Sequence, residues 1–373
     1  MRILNRVVLI FLASFLAVGG TSCSLIGVPD STLVDATPVS ITPTTTTDIT
    51  PLFVPQSDTV IESVNAGLLA PSDGVTFPAA NGFTWLPNNQ GAALANQEDV
   101  LLLPGSQAGI ITQSSIPEVT KTIPSTTPSL LIASNKAAVI AWVSGGATIN
   151  TLDLSSASSV PATIQSESPV TGLALSSSGD KVAYITFNGT TVVQQLGHTQ
   201  GAASWTLPTW LANLSFSPDG SQLAGADLEN FTIYFVNTDS GEVMHKLEWL
   251  DSATPALYGV YLAPDWGQVA WVAQNAVQIM DTDDGSIGPL LMHQDVVRSV
   301  SWSPDGRLLA TGAATFVADK LEPAVMIWDA GSGELLNTLV QQVAVQSVAF
   351  SPDGRQLAVL DTNGDLQTWS VSP

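Results

Sequence analysis

Cysteine is almost missing from this chain: Cys23 is the only one in 373 residues. An intramolecular disulfide is therefore excluded, and any compact fold must hold by packing and hydrogen bonding. Basic residues are scarce too, 10 Lys and Arg against 32 Asp and Glu, a formal net charge of −22. That balance repels phosphate backbones, which are held mainly by Lys and Arg, and argues against nucleic acid as a partner. It repels anionic membrane surfaces as well. The three histidines, His198, His245 and His293, fall at different points of the chain and suggest no shared metal or catalytic base. Gly-x-Ser-x-Gly and Walker motifs do not occur, so no catalytic residue, metal ligand or cofactor is indicated. Beyond the first twenty residues no apolar run approaches the roughly 20 residues that a bilayer span requires.

What is present begins with a leader. Arg2 and Arg6 precede the apolar stretch Val7-Val8-Leu9-Ile10-Phe11-Leu12-Ala13, and small residues Gly19-Gly20-Thr21-Ser22 follow. A basic region, a short apolar region and a small-residue zone form the layout of a secretory signal over residues 1–22. Cys23 stands directly after it. Gly20-Thr21-Ser22-Cys23 resembles a bacterial lipobox, although the family prefers Leu where Gly20 stands. That resemblance implies a lipid attached at Cys23 and a protein of the cell envelope, outside the cytoplasm and anchored to a membrane. Loss of Arg2 and Arg6 with the leader takes the net charge to about −24. Residues 23–57 lack apolar periodicity and are rich in Thr, Pro and Ser, as in Thr42-Pro43-Thr44-Thr45-Thr46-Thr47. Proline removes backbone donors and favours extended conformations, so this stretch reads as a tether.

From residue 58 to 373 the chain repeats itself. Leu214-Ser215-Phe216-Ser217-Pro218-Asp219-Gly220 returns as Tyr261-Leu262-Ala263-Pro264-Asp265, Val300-Ser301-Trp302-Ser303-Pro304-Asp305-Gly306 and Val348-Ala349-Phe350-Ser351-Pro352-Asp353-Gly354. Each is an alternating strand that runs into a Pro-Asp turn. A second strand with a central alanine follows, and that alanine serves as a ruler. Ala95, Ala141, Ala183, Ala224, Ala270, Ala310 and Ala358 are spaced by 46, 42, 41, 46, 40 and 48 residues. A third strand and a polar hairpin, such as Phe231–Val236 before Asn237-Thr238-Asp239-Ser240-Gly241, lead to a fourth. Several short strands per repeat of roughly 40 to 45 residues are the signature of a β-propeller. The expected fold is all-β, a seven-bladed propeller of four-stranded antiparallel blades. The last repeat ends after three strands, and Asp58–Val64 is the candidate N-terminal strand that closes the ring. Asp281-Thr282-Asp283-Asp284-Gly285 and Asp361–Asp365 lack the spacing of an EF-hand and read as hairpin turns.

Over about residues 80–373 the chain resembles the WD-repeat family. Trp328-Asp329 is the signature dipeptide, and Trp369 holds the same place in the last unit. In that family a His eleven residues before the Pro, a Ser or Thr on the second strand and the Trp form a hydrogen-bonded set with an Asp from a tight turn. His293, Thr311 and Trp328 match three of these positions; residues 313–323 form an insertion where the Asp is expected. Six tryptophans on strands, Trp85, Trp142, Trp271, Trp302, Trp328 and Trp369, are expected to pack between blades. Trp210, Trp249 and Tyr258 fall on the links between blades and form a candidate interaction patch. The resemblance implies protein partners and a scaffold role. The alternative is an enzyme or a glycan or small-ligand binder using the central funnel, which acid, His or Arg side chains clustered at its mouth would favour.

Overall fold

The computed structural model describes residues 59–371 apart from 77–79, 88–90, 97–98, 105–120, 125–128, 156–158, 197–202, 206–210 and 250–256. The expected leader, Cys23 and the tether lie outside the described residues. Seven four-stranded antiparallel sheets are present, and each is one blade. The first strands, nearest the axis, are Gly82–Trp85, Ser129–Ala133, Val170–Leu175, Ala212–Phe216, Gly259–Leu262, Ser299–Trp302 and Val345–Phe350 in blades 1 to 7. Because successive strands are antiparallel, the turns fall on two faces. The turns from first to second strand and from third to fourth lie on one, here called the Pro-Asp face. The turns from second to third strand and the links between blades lie on the other, the link face.

The core is a ring of inter-blade clusters rather than one central mass. Trp142 packs blade 2 against Ala93 and Leu102 of blade 1, and Trp271 packs blade 5 against Ile233 and Leu247 of blade 4. Trp302 and Trp328 lie in the blade 5–6 cluster, Trp369 borders that of blades 6–7, and Trp85 seals blade 1 to blade 7. The alanine ruler runs along the middle strands, where Ala141, Ala183, Ala270, Ala310 and Ala358 are all wholly buried. One mark moves. Thr84 pairs with Ala93 as Ser301 pairs with Ala310, so the equivalent in blade 1 is Ala93, two residues before Ala95.

The repeated phrase satisfies its own polar groups. Ser303 Oγ donates to Asp305 Oδ1 at 2.6 Å and accepts from the Leu308 amide at 2.9 Å, while Asp305 Oδ1 accepts from the Arg307 amide. Ser217-Asp219 and Ser351-Asp353 repeat the pattern. The residue after the Pro-Asp pair takes a left-handed backbone, φ +72° at Gly220 and Gly306. In blade 5 Trp266 adopts φ +68° at that place. Such a backbone costs an L-residue roughly 1–2 kcal/mol, which edge-on packing of the Trp266 ring on Phe235 offsets (centroids 5.4 Å apart).

An N-terminal strand does close the ring, but it is not Asp58–Val64. Residues 59–62 are irregular, a turn and a 3₁₀ turn at Ala66–Leu68 follow, and the closing strand is Leu69–Thr76. It pairs antiparallel with Asp365–Val371, Leu69 opposite Val371, as the outer strand of blade 7. Pro71 and Gly74 hid it from a propensity reading. A proline is tolerated on an edge strand, and a register shift between Pro71 and Gly74 absorbs the irregularity. The upstream segment instead forms a latch on the Pro-Asp face. The Ile61 amide donates to Gly354 O at 2.8 Å, and its buried side chain enters the blade 6–7 cluster. Ser63 Oγ donates to Asp329 Oδ2 at 2.6 Å, and Asn337 Nδ2 to Ala66 O at 2.7 Å. At the seam itself Trp85 Nε1 donates to Ala349 O at 3.0 Å. A chain starting at residue 77 should lose its single cooperative melting transition and aggregate through the bared edge of blade 7, by calorimetry and light scattering. Unchanged melting would show that closure does not need this strand.

Candidate functional site

Three kinds of site were legible or became so: the hydrogen-bonded set of blade 6, the axial cavities and the link face. In blade 6 the second and third strands, Leu308–Val317 and Lys320–Asp329, bring Thr311 opposite Met326 and Leu309 opposite Trp328. Trp328 Nε1 donates to Thr311 Oγ1 at 2.9 Å, and His293 Nε2 lies 2.8 Å from the same oxygen. The His293 ring meets Trp328 edge-on, with centroids 5.1 Å apart. The structure thus joins His293, Thr311 and Trp328. It leaves His293 Nδ1 buried without a hydrogen-bond partner among the described residues. That atom is the one a fourth member of the set would engage. The reason is the insertion, which is a lengthening of the two strands into a ribbon that carries Asp319 to an exposed tip. Blade 7 has Val359 where blade 6 has Thr311, and there the Trp369 Nε1 is buried and unpaired.

Burial pushes the His293 imidazole down to about 4, and the nearby carbonyls of Asn275 and Leu291 offset only part of that shift. The ring is therefore uncharged near neutral pH, and at 3 % exposure it is shut off from solvent. Asp329 of the signature dipeptide serves the latch: the Ser63 hydroxyl holds its carboxyl below the usual range.

Two cavities lie on the axis. One of about 560 Å³ runs along the first strands, past Leu214, Tyr261 and Trp302. The other, about 530 Å³, opens on the Pro-Asp face among Pro218, Pro264, Pro304 and Pro352. Among their described lining residues the one charged side chain is Lys136. Asp281 and Asp361 each fold their carboxylates back onto turn amides, Asp283 and Asp284 in one case, Asn363 and Asp365 in the other. No cluster of metal-ligating side chains occurs among the described residues.

The candidate patch on the links is only partly displayed. Trp210 lies outside the described residues. Trp249 meets the buried Trp271 edge-on (5.4 Å, 85°) and packs, partly buried, against the blade 4–5 core. Tyr258 is 50 % exposed. Two features on the same face escaped the sequence reading. Phe187, in the turn between the second and third strands of blade 3, is 47 % exposed, and the blade 6 ribbon displays Phe316, Val317 and Leu321. The signal was there in the long gap between Thr311 and Trp328, whose central Ala318-Asp319 both take positive φ, as a two-residue hairpin demands.

The family model described as "WD domain, G-beta repeat" matches residues 286–320. The match starts on the outer strand of blade 5 and stops at the ribbon, before Trp328. A 69-residue stretch is 36 % identical to the intraflagellar transport protein 122 homolog of Mus musculus, covering 18 % of this chain and 6 % of that protein. The chain thus spans a small fraction of that relative. Among solved structures, the β-propeller domain of Myceliophteria thermophila Cps50 (Swd1) superposes with a TM-score of 0.65 at 13 % identity, over 82 % of this chain and all of that one.

The blade 6 set predicts a pH dependence. His293 has an ordinary value near 6.5 when unfolded and about 4 in the fold, so only the unfolded chain binds its proton between those limits. Stability should be full above pH 6.5 and fall as pH drops to about 4, by on the order of 3 kcal/mol. Asp180 and Asp219, held at about 2 by hydroxyl and amide donors, lose their contribution only at lower pH. His293→Gln should flatten the slope of melting temperature against pH in that window; an unaltered slope would assign it to other groups.

Proposed function

We propose that this chain, a seven-bladed β-propeller with a WD-repeat match over residues 286–320, is a WD-repeat-like protein-interaction scaffold held outside the cytoplasm by a lipid on Cys23. The observation that carries the interaction role is the display of aromatic rings on one face. The link face displays aromatic rings, Phe187, Tyr258 and Phe316, that are about half exposed. Rings so placed supply large contact areas at protein interfaces. The axial cavities, where a propeller enzyme or glycan binder gathers its reactive groups, hold no cluster of carboxylate, His or Arg side chains among the described residues. Catalysis in the funnel therefore gains no support from its lining. The charge of −22 weighs against nucleic acid and favours partners with basic surfaces.

The lipid and the location rest on the leader and on the place of Cys23 directly behind it.

Affinity purification from native membranes should recover a discrete protein with the chain. Tyr258→Ala should lower that recovery several-fold without altering the melting temperature, because the side chain is half solvated. A co-purified glycan in place of a protein would overturn the scaffold reading. Separately, Cys23→Ser should abolish labelled fatty-acid incorporation and move the protein from the membrane to the soluble fraction. Label retained in the variant would place the lipid on another residue.

A further inference from the structure

The ribbon of blade 6 sets that blade apart. Its second and third strands have ten residues each, against six in blades 2, 4 and 5. The register stays regular to the tip: Ala313 faces Ala324, Ala314 Pro323, Thr315 Glu322, Phe316 Leu321 and Val317 Lys320. Side chains alternate across a strand, so one side of the ribbon carries Ala314, Pro323, Phe316 and Leu321. The other carries Thr315, Glu322, Val317 and Lys320. The ribbon is thus amphipathic, with its larger apolar side chains in water: Phe316 is 59 % and Leu321 45 % exposed.

The apolar side points towards blade 7. Ala310 of the same strand packs with Val345 and Val348 there, and a Cβ added at Gly312 would come within 2.7 Å of Val345 Cγ1. Continuing the alternation puts Ala314 and Phe316 on that side. The turn of blade 7 that shares this face brings Asp361 and Asp365, the link beside the ribbon brings Asp295 and Arg298, and the ribbon adds Asp319, Glu322 and Lys320, so five carboxylates stand against two cations. An apolar pair with an acidic surround is complementary to an apolar cleft with a basic rim. The same charges disfavour two other occupants. A second copy would set one acidic face against another, and an anionic lipid surface would meet Asp319 at the tip.

We propose that the blade 6 ribbon is a docking element that places Phe316 and Leu321 in an apolar, basic-rimmed cleft of a protein partner. This rests on the scaffold reading and names the part of the link face that carries it. The backbone contributes too. The first strand pairs with the second only as far as Gly312, and beyond Ala324 the fourth strand's end still reaches Pro323 O through the Gln341 amide (2.7 Å), so among the described residues the ribbon edges lack strand partners only beyond Gly312 and Pro323. Free edges of this kind accept a strand from another chain.

The test uses the full chain in the cells that make it, with the photo-reactive amino acid benzoyl-phenylalanine as the probe. Placed at Phe316, it should form one adduct with a protein. The same probe at Thr315, on the opposite side of the ribbon, should give at least tenfold less. Adduct yield from the Phe316 probe should fall several-fold in 0.5 M salt, and the cross-linked peptide should carry apolar residues flanked by Lys or Arg. An adduct of twice the chain mass, a lipid adduct, equal yields at the two positions or no adduct would overturn the proposal. A second arm separates its failure from that of the scaffold reading. The Phe316→Ser/Leu321→Ser variant, whose melting should match the wild type, is used as bait in native membranes. Retention of the wild-type partner by this variant would sink the ribbon and leave the scaffold standing, whereas no partner with either bait would sink both.

Discussion

Seven sheets can surround one axis only if neighbouring sheets approach closely where their middle strands face each other. That close approach governs much of the rest. It is set by alanine on the second strand, buried at the same register in blade after blade, and by large rings that fill the widening gap further out. Protein interiors pack at near-crystalline density, so an added branch at these positions has no space to occupy. With a single cysteine in the chain, no disulfide can compensate for poor packing. The inter-blade clusters therefore carry the stability, and hydrogen bonds such as Trp302 Nε1 to Tyr261 O, at 2.9 Å, fix how each blade sits against the next.

The two faces have diverged. On the Pro-Asp face the polar groups are turned inward on themselves, with serine hydroxyls on aspartates and aspartates on amides. On the link face, apolar rings and the blade 6 ribbon project instead. His293, Thr311 and Trp328 belong to neither face. They tie the outer strand of blade 5 and the link behind it to the middle of blade 6, just beneath the ribbon.

The strands that repeat were legible because turn chemistry repeats with them. Ser-Pro-Asp-Gly marks the end of a first strand, and the following alanine marks the second, so seven blades could be counted. What was illegible depended on partners distant in sequence. Thr59–Val64 has strand-like alternation, yet its amides and side chains are spent on Gly354, Asp329 and the blade 6–7 core. Leu69–Thr76 contains Pro and Gly and still forms a strand, because Asp365–Val371 offers it an open ladder. Tertiary pairing outweighs local propensity at both places. Trp249 resembled a surface ring for a similar reason: its neighbour Trp271 is recruited from the adjoining blade.

The pairing of Leu69 with Val371 also orders events in time. Of the strands in the ring, the first to be made must wait for the last before it has a ladder to join. Each earlier blade is complete from consecutive strands, but blade 7 is assembled from the two ends of the domain. Contacts so distant in sequence are slow to form, since loop closure must precede the pairing. Until the final strand is available, Leu69–Thr76 is a strand without a ladder partner, its backbone donors and acceptors left to water. Synthesis that stops short of Asp365 leaves it stranded, so cooperative folding of the ring also acts as a check that its last strand has been made.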